Sequence, residues 1–323
     1  MSMDMSSDAS FLSLPDGRRL CYHLRGCPDS LHQIFYLHGV LSCRLEVLGT
    51  SQEVLQEVKA RLIGVDRPGY GQSDPHPKRT AHSFSRDLLC LANHLSLDNF
   101  FVIGCSGGGP YAWAALHHLG PRVLGLLTLS GAGPASMLTG EERLRLHEGH
   151  EQGGLPEFTR KMVHGLLASQ TALWWVHTLV GASLVYRFLE HVMANVLDKM
   201  APVDAACIRE QHPEYHPQIV AQALAQRPAA AAAFLEDLDI GMTSWPWDIS
   251  QLAPEQTRNV HLWHGHGDKQ VPPVFSEAYH RLVPSSKLHL IDSGGHFAFY
   301  MGSQATQRQA LSQLIAGAAQ SAI

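Results

Sequence analysis

A serine framed by glycines lies between an apolar run typical of a β-strand and a run that favours a helix. Residues 99–103 precede Gly104–Gly108, in which Ser106 has glycines two positions before and after it. Pro110 then suits a first helical turn, where amides have no intrahelical partner. The glycines allow a sharp turn with a disfavoured backbone conformation. The pattern therefore predicts a strand, a turn and a helix in an α/β fold, with Ser106 Oγ raised above the sheet.

Other short apolar runs predict the rest of that sheet. Runs at 11–14 and 19–24 flank a Pro-Asp-Gly turn and predict a hairpin. Further strands are predicted near 33–37, 61–65, 100–104, 123–130, 259–263 and 287–291, and helices near 45–59, 83–95, 108–118, 274–282 and 303–318. Continuous apolar strands that alternate with helices indicate a mostly parallel, eight-stranded sheet covered on both faces.

The segment between the predicted strand 123–130 and residue 256 breaks this alternation. It is helical in composition and is divided by several prolines. We expect a core in two parts, residues 1–132 and 257–323, with a helical cap at 133–256 inserted over the serine. The apolar stretch 172–186 is shorter than the ~20 residues that span a bilayer. We interpret it as a cap helix whose Trp174 and Trp175 line a substrate pocket, with weak contact to a lipid interface as the alternative.

Two glycine-rich loops carry the partners that an acyl-transfer serine needs, a base and an acid that orients it. Asp268 follows the predicted strand 259–263, and His296 follows the predicted strand 287–291. The chain order Ser106, Asp268, His296 is the order that accompanies such a strand-to-helix turn. Asp292 is the competing acid, and we expect it to lie too near His296 along the chain to reach the far side of the ring.

The loop after the predicted strand 33–37 supplies the remaining part of such a site, the donors for an oxyanion. It begins His38-Gly39, and the amide of Val40 together with that of Gly107 predicts a two-donor oxyanion hole. Phe297, next to His296, is expected to contact substrate.

Together these motifs resemble those of serine α/β-hydrolases, from about residue 11 to the C-terminus except for the middle of the chain. Residues 66–74 are similar to the family's loop after strand four. The resemblance implies that Ser106 is the nucleophile, His296 the general base and Asp268 the orienting acid. It also implies a carboxylic ester with an apolar acyl or alcohol part as substrate, and no cofactor. Thioesterase, C–C bond hydrolase and a ligand receptor with slow turnover stay open as alternatives, whereas a non-catalytic scaffold is disfavoured.

Two differences from the motifs of other α/β-hydrolases argue against particular groups of that family. His38-Gly39 is followed by Val-Leu, which argues against the carboxylesterases that carry His-Gly-Gly-Gly. A serine at position 106 argues against haloalkane dehalogenases and soluble epoxide hydrolases, which use aspartate there. Asp66 and Arg67 are interpreted as a loop-stabilising pair.

Most of the 21 histidines are expected to be structural. His38 and His264 each precede a glycine at a strand end and are interpreted as bracing loops. His147 and His150 are three residues apart, whereas a helical zinc-protease motif needs a spacing of four. We therefore predict no metal site.

Charge and cysteine content bear on partners and location. The net charge of −5 excludes the basic surplus of a nucleic-acid-binding protein. None of the six cysteines forms a Cys-x-x-Cys pair, and the first residues lack the apolar core of a signal peptide. We expect reduced thiols and a cytoplasmic location. The oligomeric state is left open.

Overall fold

The computed structural model describes residues 9–77, 79–152, 187, 202–211, 215–226, 228–292, 294–299 and 303–319. Within these ranges, eight strands form one sheet in the order β1-β2-β4-β3-β5-β6-β7-β8. The strands are β1 (Ser10–Ser13), β2 (Arg19–Gly26), β3 (His32–Leu37), β4 (Ala60–Val65), β5 (Phe100–Cys105), β6 (Val123–Leu129), β7 (Val260–Gly265) and β8 (Lys287–Ile291). The predicted eight-stranded sheet is confirmed, with strand limits within two residues of those expected.

Most strand pairs in this sheet are parallel. The hairpin partners β1 and β2 are antiparallel, and so are β2 and β4, whereas every pair from β4 to β8 is parallel. Parallel strands deliver the residues that follow them to one edge of the sheet. The loops after β3, β5, β7 and β8 therefore all open at the same edge.

Helices cover both faces of the sheet. The described helices are α1 (Gln52–Glu57), α2 (Ala81–His94), α3 (Gly109–Leu119), α4 (Gly140–Gln152), α5 (Pro202–Gln211), α6 (Tyr215–Ala223), α7 (Pro228–Met242), α8 (Pro254–Thr257), α9 (Val274–Leu282) and α10 (Gln304–Ala319). The expected single helix at 45–59 is instead a 3-10 turn, Arg44–Gly49, followed by α1. Thr50 is the C-cap of the 3-10 turn, and Ser51 then caps α1, because its Oγ accepts a hydrogen bond from Val54 N.

Alternate residues of the central strands face opposite apolar layers. In β5, Phe100 and Val102 belong to one buried cluster, which also contains residues of α2, α3 and α9. Phe101 and Ile103 belong to a second cluster, which contains residues of α1 and α10. A strand buried on both faces is apolar at every position, which explains the continuous apolar runs of the sequence.

All described regular structure between β6 and β7 is helical. Helices α6 and α7 pack on the core through a third apolar cluster, which joins Ile219 and Ala233 to Leu41 and Tyr70. No helix in the described part of the chain combines the length and the apolar character needed to cross a membrane.

Candidate active site

Ser106 directly follows β5 and opens a 3-10 turn, Ser106–Gly108, that leads into α3. Its φ of +50° is a left-handed conformation that residues with side chains rarely adopt. The glycines are needed because a Cβ on Gly104 would lie 2.6 Å from Ala112 Cβ, and one on Gly108 would overlap the carbonyl oxygen of Leu37. Such strain persists only where the surrounding packing maintains it, and it is concentrated at functional sites.

The loop after β3, residues 38–42, lies against this turn. A Cβ on Gly107 would overlap Val40 Cγ2 and come within 3.2 Å of the Val40 backbone nitrogen. A Cβ on Gly39 would lie 3.3 Å from Ser106 Cβ. The two glycines thus allow the loop and the turn to touch, and they bring the Val40 amide close to the residue that follows Ser106.

Buried polar side chains hold the 38–42 loop from two sides. Glu46 accepts a hydrogen bond from the Gly39 amide at 2.9 Å and another from the Tyr36 hydroxyl at 3.2 Å. Arg67 donates to the carbonyl oxygens of His38 and Gly39. Burial raises the pKa of the Glu46 carboxyl above its ordinary value, because a buried anion loses hydration.

Asp268 and His296 meet at the edge of the sheet where β5 ends. Asp268 lies in the loop after β7 and His296 in the loop after β8, and the distance from His296 Nδ1 to Asp268 Oδ2 is 2.7 Å. The other carboxylate oxygen of Asp268 accepts hydrogen bonds from the amides of Gln270 and Val271, both at 2.9 Å. The competing acid, Asp292, is exposed. The carboxylate that contacts the His296 ring is therefore that of Asp268.

The charges of this pair are mutually stabilising. Burial lowers the pKa of His296, but the charge of Asp268 and the hydrogen bond to it outweigh burial, so that the pKa is raised above its ordinary value. Burial raises the pKa of Asp268, and the interactions with His296 and His264 outweigh it, so that this pKa is lowered. An ionised Asp268 accepts a hydrogen bond from the Nδ1–H of His296, which leaves Nε2 as the nitrogen that takes up a proton.

The two histidines expected to brace loops make contacts of that kind. His264 lies with Nδ1 2.7 Å from Ser276 Oγ, and with Nε2 2.7 Å from the carbonyl oxygen of Val271 and 3.3 Å from Asp268 Oδ2. His38 accepts a hydrogen bond from Arg67 N at Nε2, so its Nδ1 carries the proton that it donates to Gly39 O. Burial, followed by the charge of Arg67, lowers the pKa of His38 well below its ordinary value.

Phe297 is half-buried and sets its ring edge-on against the His296 imidazole, with 5.1 Å between ring centroids. It thus provides an apolar surface next to the imidazole. Trp174 and Trp175, which were expected to line a pocket, lie outside the described residues.

Asp204, on α5, is a functional candidate that the sequence reasoning missed. Its carboxylate accepts hydrogen bonds from the amides of His296 and Phe297, each at 2.9 Å. A Cβ on Gly295 would overlap this carboxylate, so the close approach needs glycine there. Ninety-two positions separate Asp204 from His296, and no local pattern indicates the contact. A helix of the segment between β6 and β7 therefore holds the loop that carries His296.

Asp66 and Arg67 do not form the pair that the sequence suggested. Asp66 accepts hydrogen bonds from Arg44, from its amide at 2.6 Å and from its guanidinium at 2.9 Å. Arg67 pairs instead with Asp237 of α7, at 2.6 Å. All four side chains are buried. Both residues stabilise their loop, each through a partner that is distant along the chain.

Helix α4 carries His147 and His150. Among the residues that the structure describes, no three His, Cys, Asp or Glu side chains are grouped so as to hold a metal ion. Cys21, Cys27, Cys43, Cys90 and Cys105 are free thiols.

Solved structures of similar fold include several hydrolases. An esterase from Thermogutta terrifontis is 20% identical, with a TM-score of 0.64 and coverage of 97% of this chain and 99% of that chain. A bromoperoxidase from Bacillus anthracis is 17% identical, with a TM-score of 0.62 and coverage of 97% and 99%. The esterase RhEst1 from a Rhodococcus species is 18% identical, with a TM-score of 0.59 and coverage of 96% and 98%. At these identities the likeness concerns the fold alone.

A comparison with curated proteins found no match. A family model described as alpha/beta hydrolase fold matches residues 34–303, which include most of β3, all of β4 to β8 and the loops that carry Ser106, Asp268 and His296. The strand order and the strained turn after β5 agree with that match. The chain therefore belongs to the alpha/beta hydrolase fold family.

Proposed function

We propose that this hydrolase cleaves carboxylic esters with an apolar acyl or alcohol part, through an acyl-enzyme on Ser106. The observation that carries the proposal is that the strained turn at Ser106 opens at the same sheet edge as the hydrogen-bonded Asp268 and His296. A strained serine next to a base, and a base next to an oriented acid, is the arrangement that nucleophilic acyl transfer requires.

In the proposed reaction, His296 Nε2 removes the proton of Ser106 Oγ while the oxygen attacks the carbonyl carbon of the ester. The imidazolium that forms is stabilised by the Asp268 carboxylate at Nδ1. The proton then passes to the leaving alcohol and the ester C–O bond breaks. Water, activated by His296 in the same way, cleaves the acyl-enzyme and regenerates the serine.

The amides of Val40 and Gly107 are the proposed donors to the tetrahedral oxyanion. Their support is the contact between the 38–42 loop and the turn at Ser106. Both donors are backbone groups of buried, tightly packed segments, so they need no rearrangement when charge develops on the substrate oxygen.

An apolar substrate part suits the surface around His296. Phe297 presents its ring beside the imidazole, and the partly buried Val40 side chain lies against Gly107. The proposed cap, residues 133–256, would complete the pocket, with Trp174 and Trp175 in its roof and with weak lipid contact as the alternative role of that surface. We expect a cytoplasmic enzyme, an expectation supported by the free thiols of the described cysteines.

The proposal is tested with p-nitrophenyl esters of increasing acyl length, beside a thioester and a C–C hydrolase substrate. We expect ester turnover in the native protein, and a loss of roughly 10³-fold or more in Ser106→Ala, because the covalent nucleophile is removed. Ser250→Ala, an exposed serine on a 3-10 turn, is the matched control and should keep native rates. Preferred cleavage of the thioester or of the C–C bond would contradict the ester assignment, and near-native rates in Ser106→Ala would contradict the site.

A further inference from the structure

We propose that Asp237 on α7 is a positioning residue for the oxyanion donor Val40, and that it acts through Arg67. The inference rests on the proposed ester hydrolysis. The segment between β6 and β7 would then help to position an oxyanion donor, in addition to covering the substrate.

The peptide unit that joins Gly39 to Val40 carries the proposed oxyanion donor. Its carbonyl oxygen accepts a hydrogen bond from Arg67 Nη2 at 3.1 Å and another from His38 Nδ1 at 2.8 Å. The described chain contains no cis peptide bond. In a planar trans peptide the N–H points opposite to the C=O. The two donors on the Gly39 oxygen therefore fix the direction of the Val40 N–H, away from Arg67 and His38.

The charge of Arg67 bears on the strength of the Val40 N–H as a donor. Arg67 is a cation that acts on the carbonyl end of the peptide, and its fully buried side chain is shielded from bulk solvent. A charged donor makes a strong hydrogen bond, and hydrogen bonds in series polarise one another. The Val40 N–H is therefore a better donor to an anion while Arg67 contacts the Gly39 carbonyl.

The position of Arg67 depends in turn on α7. Its Nη2, the atom that contacts Gly39 O, also donates to Asp237 Oδ2 at 2.6 Å. The rings of Tyr70 and Tyr111 lie 5.3 and 4.9 Å from the guanidinium carbon of Arg67. The aromatic faces add cation–π contact, but Asp237 supplies the negative charge that a buried guanidinium needs.

Asp237 is in turn fixed by further donors. Its Oδ1 accepts hydrogen bonds from Arg79 Nη2 at 2.7 Å and from the Tyr111 hydroxyl at 2.6 Å. Burial raises the pKa of Asp237, but the charges of Arg67 and Arg79 outweigh burial, so that the pKa is lowered and the carboxylate stays ionised. An aspartate of α7 thus sets the position of the cation that orients the proposed oxyanion donor.

The neighbouring Glu236 offers a matched control. It lies on the same helix and pairs with Arg79 at 3.2 Å, and its side chain is 35% exposed. Glu236→Gln removes the same charge one residue away while the contact between Arg67 and Asp237 is kept. Asp237→Asn keeps the size of the side chain and removes the negative charge next to Arg67.

The test compares both variants with the native enzyme on its best ester. We expect Asp237→Asn to lower kcat about tenfold or more with KM changed less than threefold, because the oxyanion forms only in the transition state. Glu236→Gln should keep native kcat and KM. In infrared difference spectra, the acyl-enzyme carbonyl of Asp237→Asn should absorb at higher frequency than that of the native enzyme, since weaker donors polarise it less.

If Asp237→Asn does not fold, Arg67→Lys tests the same contact. Arg67→Lys leaves a cation opposite Asp237, but a single ammonium lacks the planar fork that reaches both Asp237 and the loop carbonyls. It should show the same fall in kcat and the same frequency shift. Native kcat in either folded variant, or a fall in kcat with an unshifted carbonyl band, would overturn the inference. A native enzyme without ester turnover would instead refute the proposed function.

Discussion

Three residues of the candidate site have a backbone conformation or a degree of burial that would be unfavourable in most other places. Ser106 has a left-handed backbone, and His296 and Asp268 are buried ionisable groups that share a hydrogen bond. Each is acceptable only because of its neighbours. Glycines make room for the serine turn, and opposite charges offset the cost of burial for the pair. The reactivity proposed for these residues therefore depends on the contacts around them.

The raised pKa of His296 predicts how turnover depends on pH. The base must be neutral, so kcat/KM should rise with pH through the pKa of His296 in the free enzyme. Since Asp268 raises that pKa, the midpoint should lie above the ordinary histidine value of about 6.5. Asp268, whose pKa is lowered, stays ionised across the same range. A pH–rate profile under chemistry-limited conditions checks this, and a midpoint well below 6 would contradict it.

At the scale of elements, the strands were predictable from the sequence and the long-range anchors were not. Buried parallel strands are apolar at every position, so runs such as that of β5 can be identified locally. The motif loops were equally local, which allowed Ser106, Asp268 and His296 to be identified as candidates. The partners of Arg67 were not predictable, because Asp237 lies 170 positions away. The prediction of one helix at 45–59 was wrong, because a 3-10 turn comes first and Ser51 then caps a separate helix.

Helix α5 holds the His296 loop through Asp204. Asp204 is one of the charges that raise the pKa of His296, so Asp204→Asn should shift the midpoint of the pH–rate profile to lower pH. Each carboxylate oxygen of Asp204 accepts a hydrogen bond from one backbone amide, of His296 or of Phe297. Asparagine replaces one of these oxygens with an NH₂ group, which cannot accept, so the free energy of unfolding should fall by about 1 to 3 kcal/mol. Thermal unfolding and the pH profile measure the two effects.

The control for Asp204→Asn is Glu255→Gln, which removes one exposed negative charge on α8. It should leave both the midpoint and the melting temperature unchanged, because exposed charges are screened by solvent. An unshifted midpoint in a folded Asp204→Asn protein would show that the charge of Asp204 does not act on the base.

At the scale of the whole molecule, two buried aspartates tie the segment between β6 and β7 to the core. Asp204 binds the loop of His296, and Asp237 binds the arginine behind the 38–42 loop. The apolar cluster of α6 and α7 with Leu41 and Tyr70 adds a third connection. These contacts join the segment to the loops on both sides of Ser106. We expect substrate selection and catalytic geometry to be coupled in this enzyme.

The proposed pocket roof predicts a dependence on acyl length. Each methylene buried is worth about 0.8 kcal/mol, or about fourfold in kcat/KM, until the pocket is full. Polar substitutions at Trp174 or Trp175 should therefore lower turnover of long-chain esters more than turnover of acetate. Steady-state rates across an acyl series measure this. Equal losses on acetate and on long-chain esters, in folded variants, would refute the roof assignment.

The central claim is that Ser106 is the nucleophile of an oriented serine, histidine and aspartate triad. Labelling the native protein with a fluorophosphonate, followed by peptide mass spectrometry, tests it most directly. We expect one adduct per chain, located on the peptide that contains Ser106, and a labelling rate that falls by orders of magnitude in Asp268→Asn. Ester turnover by a protein that carries no adduct at Ser106, or an adduct on another serine, would contradict it.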